Sequence, residues 1–209
     1  QRQIGKVAIL ACGFGGGIGA FSAMGRAYGL TMTESDAQRT VDAWRRANQW
    51  AVRYWQELET GYMIAMRQKG KEIVAGRVTY LFDGAHLWYA LPSGRILCYP
   101  FAKLEEDGIS YAKAAWKPAA DAKEWPRARL WRGLACENIT QAAANDVLRY
   151  ALRALDDVVL HVHDEIVIET DQPEAVTERL RQVMCTPPPW AVGLPLDAEI
   201  STMIRYGKG

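Results

Sequence analysis

The sequence has little histidine, three residues in 209, and its four cysteines stand far apart at Cys12, Cys98, Cys136 and Cys185. A histidine-rich zinc site is thereby disfavoured. No C-x-x-C spacing occurs, so the cysteines read as free thiols in a reducing compartment. Charge of one sign is also lacking: 25 Lys+Arg stand against 24 Asp+Glu, for a formal net charge of +1. Any nucleic-acid partner must therefore be met by local basic clusters. No apolar run approaches the about 18 residues that span a bilayer. The opening Gln1-Arg2-Gln3 has no apolar stretch of the kind a signal peptide needs. A first residue other than Met makes a processed or trimmed product, or a fragment, the expectation. No internal repeat is present. What the chain does have is 49% hydrophobic residues and eight Trp, enough for the core of one large domain or one and a half small ones.

Periodicity organises the chain. Arg2 to about Leu10 reads as a helix, followed by a glycine-rich stretch from Gly13 to Gly19. From Thr33 to Gln68, Trp44, Ala47, Ala51, Trp55, Leu58, Tyr62 and Met66 recur at three- or four-residue spacing, which predicts one long helix with a Trp stripe in the core. Thr33 with Asp36 suits its N-cap and Gly70 its stop. Arg39, Arg45, Arg46, Arg53 and Arg67 decorate it. Val78–Phe82, Asp83-Gly84 and Leu87–Leu91 read as a hairpin, and Pro92-Ser93-Gly94 turns the chain into Arg95–Tyr99. The polar stretch Glu105–Arg129, with Lys113, Lys117, Pro118, Lys123 and Pro126, reads as an insertion or mobile loop. Helices are expected over Glu137–Leu155 and Pro173–Met184, a rigid spacer at Pro187-Pro188-Pro189, and a closing strand over Leu194–Ile200. The fold class is α+β.

The run Val158-Val159-Leu160-His161-Val162-His163-Asp164-Glu165-Ile166-Val167-Ile168 places adjacent carboxylates between two apolar half-strands. An ionised carboxylate is costly away from water unless paired or metal-bound, so this tip suggests a divalent cation. His161-x-His163 does not extend to the metallohydrolase pattern H-x-H-x-D-H, because Glu165 and Ile166 stand where Asp and His are needed.

The glycine-rich segment has two readings. Val7–Ala11 as a buried strand, with Gly15-Gly16-Gly17-Ile18-Gly19-Ala20 as G-x-G-x-x-A and Glu34 as the ribose acid, fits a dinucleotide fold. A long helix followed by antiparallel hairpins opposes it, since a Rossmann unit alternates strands with shorter helices. Alternatively, Arg2 and Lys6 share one helical face that holds a triphosphate. Phe14 then falls on nearly the same side, with a ring for a base, and Gly15 behind it permits close backbone approach. By itself, the Arg2/Lys6 pair is also what an ordinary surface helix carries.

The combination is more specific. Arg2-x-x-x-Lys6, followed at the right interval by Phe14-Gly15, resembles motif B of the family A DNA polymerases. His163-Asp164-Glu165 between apolar strands resembles motif C. Asn138-Ile139-Thr140-Gln141-Ala142-Ala143-Ala144-Asn145-Asp146 resembles the palm helix before it. Similarity continues through Trp44-Arg45-Arg46-Ala47-Asn48, Leu91-Pro92-Ser93-Gly94-Arg95 and Gly193-Leu194-Pro195-Leu196, in family order and closest to the bacteriophage-type polymerase I proteins. It covers essentially the whole chain.

The resemblance implies part of a polymerase right hand. Residues 1–75 would be fingers helices, 76–135 β-hairpins and a loop insertion, and 136–209 a partial palm on an antiparallel sheet. It implies DNA-directed DNA synthesis, with Mg²⁺ as cofactor and dNTPs and primer-template DNA as partners, no membrane, and a bacterial or phage-infected cytoplasm. Arg2 and Lys6 would bind dNTP phosphates, Lys6 also acting as acid towards pyrophosphate. Phe14 and Gly15 would guard the nascent base pair, and Leu10 would stand where an aromatic affects tolerance of missing 3′-hydroxyls. Asp164 would be the metal ligand, with Glu165 supporting it. His163 would approach the primer end, and Gln141, Asn138 and, more loosely, Arg132 would contact primer and template. Each has an ordinary reading too: Glu165 as a solvated hairpin residue, His163 as a turn residue, Gln141 as the polar face of a helix.

One departure governs activity. The family's motif A aspartate, on a strand before the fingers helix, is not in this sequence, nor are the thumb and any exonuclease domain. The missing N-terminal portion is therefore an expected partner, as the same or a separate chain, and the isolated chain is expected to be inactive or nearly so. Rivals are a catalytically inactive remnant that binds nucleic acid or a partner, and a phage-type RNA polymerase, which usually shows Ser where Glu165 stands.

Overall fold

The computed structural model describes residues 2–114 and 125–207, and the chain is α+β, as expected. It divides into two compact units, residues 1–140 and 141–209.

The first unit opens with four helices: α1 (Arg2–Cys12), α2 (Ile18–Ala27), α3 (Glu34–Ala47) and α4 (Gln49–Arg67). In α1, Val7, Ala8, Ala11 and Cys12 form one buried stripe. They pack with Phe21 of α2 and Ala37 and Val41 of α3, and Ile4, Ile18, Met24, Leu30, Met32 and Trp44 close the rim. Each large side chain buried there contributes about 1.5–3 kcal/mol. Because Val7–Ala11 is helix in α1, the strand that a dinucleotide fold needs is not formed.

The expected long helix is two. Thr33 caps α3, its Oγ1 accepting from the Asp36 amide at 3.1 Å. Asn48 then leaves helical geometry at φ −117°, ψ 48°. Its side-chain Nδ2 and backbone N–H both donate to the Trp44 carbonyl, at 2.8 and 2.9 Å. A short amide side chain that satisfies backbone in this way competes with continued helix. The apolar spacing runs through the break regardless, and Trp44 and Trp55 stack across it with ring centroids 6.0 Å apart.

A four-stranded antiparallel meander follows: β1 (Ile73–Ala75), β2 (Val78–Phe82), β3 (Leu87–Ala90) and β4 (Ile96–Tyr99), in that order. It lies against α4 where Gly61 lets Ala75 approach; a Cβ at Gly61 would collide with the Ala75 methyl. Tyrosines fill the interior. Tyr62, Tyr80, Tyr89, Tyr99 and Tyr111 contact in sequence with centroids 5.0–6.2 Å apart. Burial pushes these phenols up, Tyr89 to about 12, so all are neutral at physiological pH.

The stretch read as an insertion is in part sheet. β5 (Lys103–Glu105), β6 (Gly108–Ala112) and β7 (Arg127–Leu130) form a three-stranded antiparallel sheet. Ile109, Ser110, Tyr111 and Ala112 are buried. Charge hides this strand signal, because the polar residues pair across strands. Arg129 meets Glu105 at 3.1 Å and also Asp107, and Arg127 donates to Ser110 Oγ at 2.6 Å. Lys117, Pro118 and Lys123 lie outside the described residues.

Helix α5 (Arg132–Leu152) starts before the expected Glu137 and crosses from the first unit into the second. The second unit continues with β8 (Val158–Val162), β9 (Glu165–Ile168), α6 (Pro173–Met184) and a short 3-10 turn at Pro189–Ala191. β8 and β9 pair with each other, with a bulge between Val158 and Leu160. The expected closing strand over Leu194–Ile200 is irregular: among the described residues it has no strand beside it to complete a ladder. No described helix is long and apolar enough to cross a membrane.

Candidate active site

Two surfaces carry the predicted chemistry, one in each unit. On α1, burying the Val7/Ala11 stripe leaves Arg2, Lys6 and Leu10 exposed. That is the face predicted to meet phosphates. Lys6 Nζ lies 5.1 Å from the centroid of the Tyr28 ring, which stands at the C-cap of α2. Such a cation–π contact holds an ammonium without neutralising it. Nothing in the spacing of the sequence announced Tyr28, because the contact is made only when α2 folds back on α1.

Phe14 is not on the helical continuation expected for it. Gly13 donates to the Ile9 carbonyl and Gly15 to that of Cys12, both at 2.9 Å, and Gly15 takes φ 78°. Helix α1 therefore ends at Cys12 and Phe14 sits half-buried in a turn. The close approach that Gly15 permits is to protein: a Cβ there would lie 3.3 Å from the Trp131 ring and 3.5 Å from Gly133 Cα. Gly133 in turn has no room for a Cβ, which would collide with the Phe14 carbonyl and the Trp131 ring. Two glycines and Trp131 thus fix the Phe14 turn, and Arg45 of α3 reaches the Gly16 carbonyl at 3.3 Å. Trp131 and Gly133 are residues that sequence reasoning missed, since they come from the far end of the unit.

Asn138 and Arg132, expected at primer and template, make internal contacts. Asn138 Nδ2 donates to the Tyr99 hydroxyl at 3.1 Å, and Arg132 faces Glu59 at 3.7 Å. Both tie α5 to the rest of the first unit.

The carboxylates stand on the β8–β9 hairpin. Val162 pairs with Glu165, so the turn itself is His163-Asp164. His163 takes φ 54°, the left-handed conformation that a two-residue hairpin turn demands and that histidine tolerates better than most residues. Asp164 and Glu165 are exposed, so their charge is not removed from water. They differ in neighbours: Glu165 Oε2 accepts from the Tyr206 hydroxyl at 2.9 Å. That hydrogen bond to the neutral phenol raises the Tyr206 pKa. No group of three His, Cys, Asp or Glu side chains stands ready for one metal ion among the described residues. Gln141 is exposed at the start of the second unit's share of α5.

This chain is similar to a DNA polymerase. It is 36% identical over 213 aligned residues to the DNA polymerase of Bacillus phage SP02, an alignment taking in 99% of this chain and 33% of that protein. The chain thus spans about a third of the length of the curated relative it matches. No family model matches the chain, and no solved structure matches it.

Proposed function

We propose that the chain is the portion of a family A DNA polymerase that grips the incoming dNTP and presents one carboxylate turn of the metal centre. The observation that carries this reading is the similarity to a phage DNA polymerase along 99% of the chain. An exposed Arg2/Lys6 face and an exposed His163-Asp164 turn, where family motifs B and C would stand, support it. The reaction is attack of a primer 3′-oxygen on the α-phosphorus of a dNTP, in a bacterial or phage-infected cytoplasm.

Arg2 and Lys6 bind the triphosphate as charge-assisted donors, and Lys6 gives a proton to the departing pyrophosphate. Phe14 lies against the nascent base pair and Leu10 beside the sugar. Gln141, with Asn138 and Arg132, meets primer and template, and His163 approaches the primer end. The carboxylates suit Mg²⁺ as hard oxygen donors, with Asp164 as ligand and Glu165, shared with Tyr206, in support. When bound, such ions would supply Lewis-acid neutralisation of the charge that develops at the reacting phosphate. A lone turn fills only part of that coordination shell, so the second aspartate comes from outside these residues.

Primer extension tests this directly. The 209-residue chain alone is expected to give no template-directed incorporation, and to give it once a polypeptide carrying the motif A aspartate and thumb is added. Robust incorporation by the chain alone would overturn the split-centre reading. Failure with every such polypeptide would favour an inactive remnant.

A further inference from the structure

A second aromatic surface lies where the two sheets of the first unit meet. His86 stands on the β2–β3 turn, Trp88 on β3, and Phe101 on the link between β4 and β5. The His86 ring is 5.5 Å from that of Trp88 and 4.9 Å from that of Phe101. Phe101 is 55% exposed and takes φ 49°. A bulky non-glycine residue in the left-handed region is strained and persists only where its surroundings over-determine it. Three hydrogen bonds do so here. Ala102 N donates to the Ala85 carbonyl at 2.9 Å, Ala112 N to that of Pro100 at 2.8 Å, and Arg127 Nη1 to that of Phe101 at 2.7 Å. Burial does not explain the arrangement, because the strain holds the ring half in water.

The polar groups around the ring favour an anion with a flat face. Arg127 is tied to the Phe101 carbonyl, and the Lys69 ammonium lies over Gly84, where a Cβ would collide with it. The corner's own acid, Asp83, is engaged by Ala85 N, His86 N and Trp88 Nε1, each at 2.7 Å. Glu105 and Asp107 of the neighbouring sheet meet Arg129, and Glu105, which accepts from Ser110 Oγ, also acts on Arg127. Cations beside a rigidly held aromatic cluster with one exposed ring, Phe101, are the parts of a single-strand nucleic-acid platform, on which bases stack without sequence preference. We propose that the His86–Trp88–Phe101 corner binds single-stranded nucleic acid, a base lying on Phe101 and flanking phosphates meeting Lys69 and Arg127.

The 209-residue chain, without dNTP or metal, is titrated into a fluorescein-labelled 12-nucleotide oligodeoxythymidylate and into a duplex of equal length. This readout is independent of nucleotidyl transfer, so it stands or falls apart from the polymerase reading. Phe101→Gly removes the ring and relieves the strain. It should leave Tm unchanged or raised while weakening single-strand binding roughly five- to 150-fold, the worth of one stacked base. Phe101→Tyr should retain affinity, and Lys69→Gln should lower the salt dependence of single-strand binding by about 0.7 in log–log slope. The proposal is overturned if Phe101→Gly leaves single-strand affinity unaltered, if it weakens duplex binding equally, or if the parent chain does not bind the oligonucleotide.

Discussion

The two units solve different problems with similar materials. The first buries a connected interior: Val7, Phe21 and Val41 among the helices, then Leu58, Tyr62, Tyr80 and Leu87 where α4 meets the meander. The face proposed to meet phosphates is what remains after that burial, so Arg2 and Lys6 stand on a packed helix. The second unit buries far less. Its hairpin leaves Val159 60% and Leu160 42% exposed, and its two strands have no further strand beside them among the described residues. A lone two-stranded hairpin is marginal in water, and open edges invite pairing with another chain. The contrast teaches that the first unit has a packed interior behind its exposed basic face, whereas the hairpin that carries Asp164 and Glu165 leaves its apolar strands open.

On the proposed polymerase reading, the sharpest way to break the comparison is Asp164→Ala in the assembled enzyme. If the turn serves chemistry and little else, single-turnover incorporation falls by at least about 10²–10³-fold while primer-template affinity changes less than about twofold. Parallel loss of both, read by rapid quench and by anisotropy, would make Asp164 a structural residue. Arg2→Ala probes the other unit. If Arg2 meets the triphosphate as proposed, an exposed cation on a preformed helix binds ground state and transition state together, so the KM for dNTP should rise about 10- to 100-fold with a smaller change in kcat. A fall in kcat with KM unaltered would take Arg2 off the triphosphate.

A third experiment asks how stiff the first unit is. Gly133→Ala forces a methyl group against the Phe14 carbonyl and the Trp131 ring, both buttressed by Gly15. Overpacking of this kind costs about 1–3 kcal/mol, or roughly 2–10 °C in Tm for a chain of this size. Differential scanning calorimetry should show that loss in the transition of the first unit. An unchanged Tm would mean the turn yields and the grip is softer than its packing suggests.

These contrasts also explain what was legible in the sequence. Signals written within a few residues translated well: the Thr33 cap, the meander with its Asp83-Gly84 and Pro92-Ser93-Gly94 turns, the Pro173 start of α6, and the carboxylate hairpin. Signals that depend on distant partners did not. The break at Asn48 lay beneath an apolar spacing that continued across it. β6 and β7 were disguised by Arg127, Arg129, Glu105 and Asp107, whose charges are matched only once the strands align. Leu194–Ile200 has strand-like residues and, among the described residues, no strand to join. Phe14 was placed by extending a helix that Gly13 ends, and Trp131 and Gly133 reach its turn, and Tyr28 reaches Lys6, only through the fold.

The smallest effect concerns the corner of the first unit, where one exposed acid gathers the β2–β3 turn. Hydrogen bonds from the His86 amide, the Trp88 indole and the Ala85 amide hold the Asp83 carboxyl down at about 2, against an ordinary 3.8. A carboxyl lowered in the folded state binds its proton more readily when unfolded. Its contribution is therefore complete above pH 3.8 and is lost as pH falls from there towards about 2. Other carboxylates titrate in the same window, so the informative quantity is a difference. Asp83→Asn keeps the shape and an acceptor oxygen but removes the charge. Solvent screens a group this exposed, so the parent's advantage over the variant should be small, about 2 °C in Tm at neutral pH. It should shrink towards zero as the pH approaches 2, followed by the near-ultraviolet circular dichroism of the tryptophans. An advantage that stays constant with pH would show that the Asp83 charge does not hold the turn, and that the corner is as rigid through its backbone bonds as the helices are through their core.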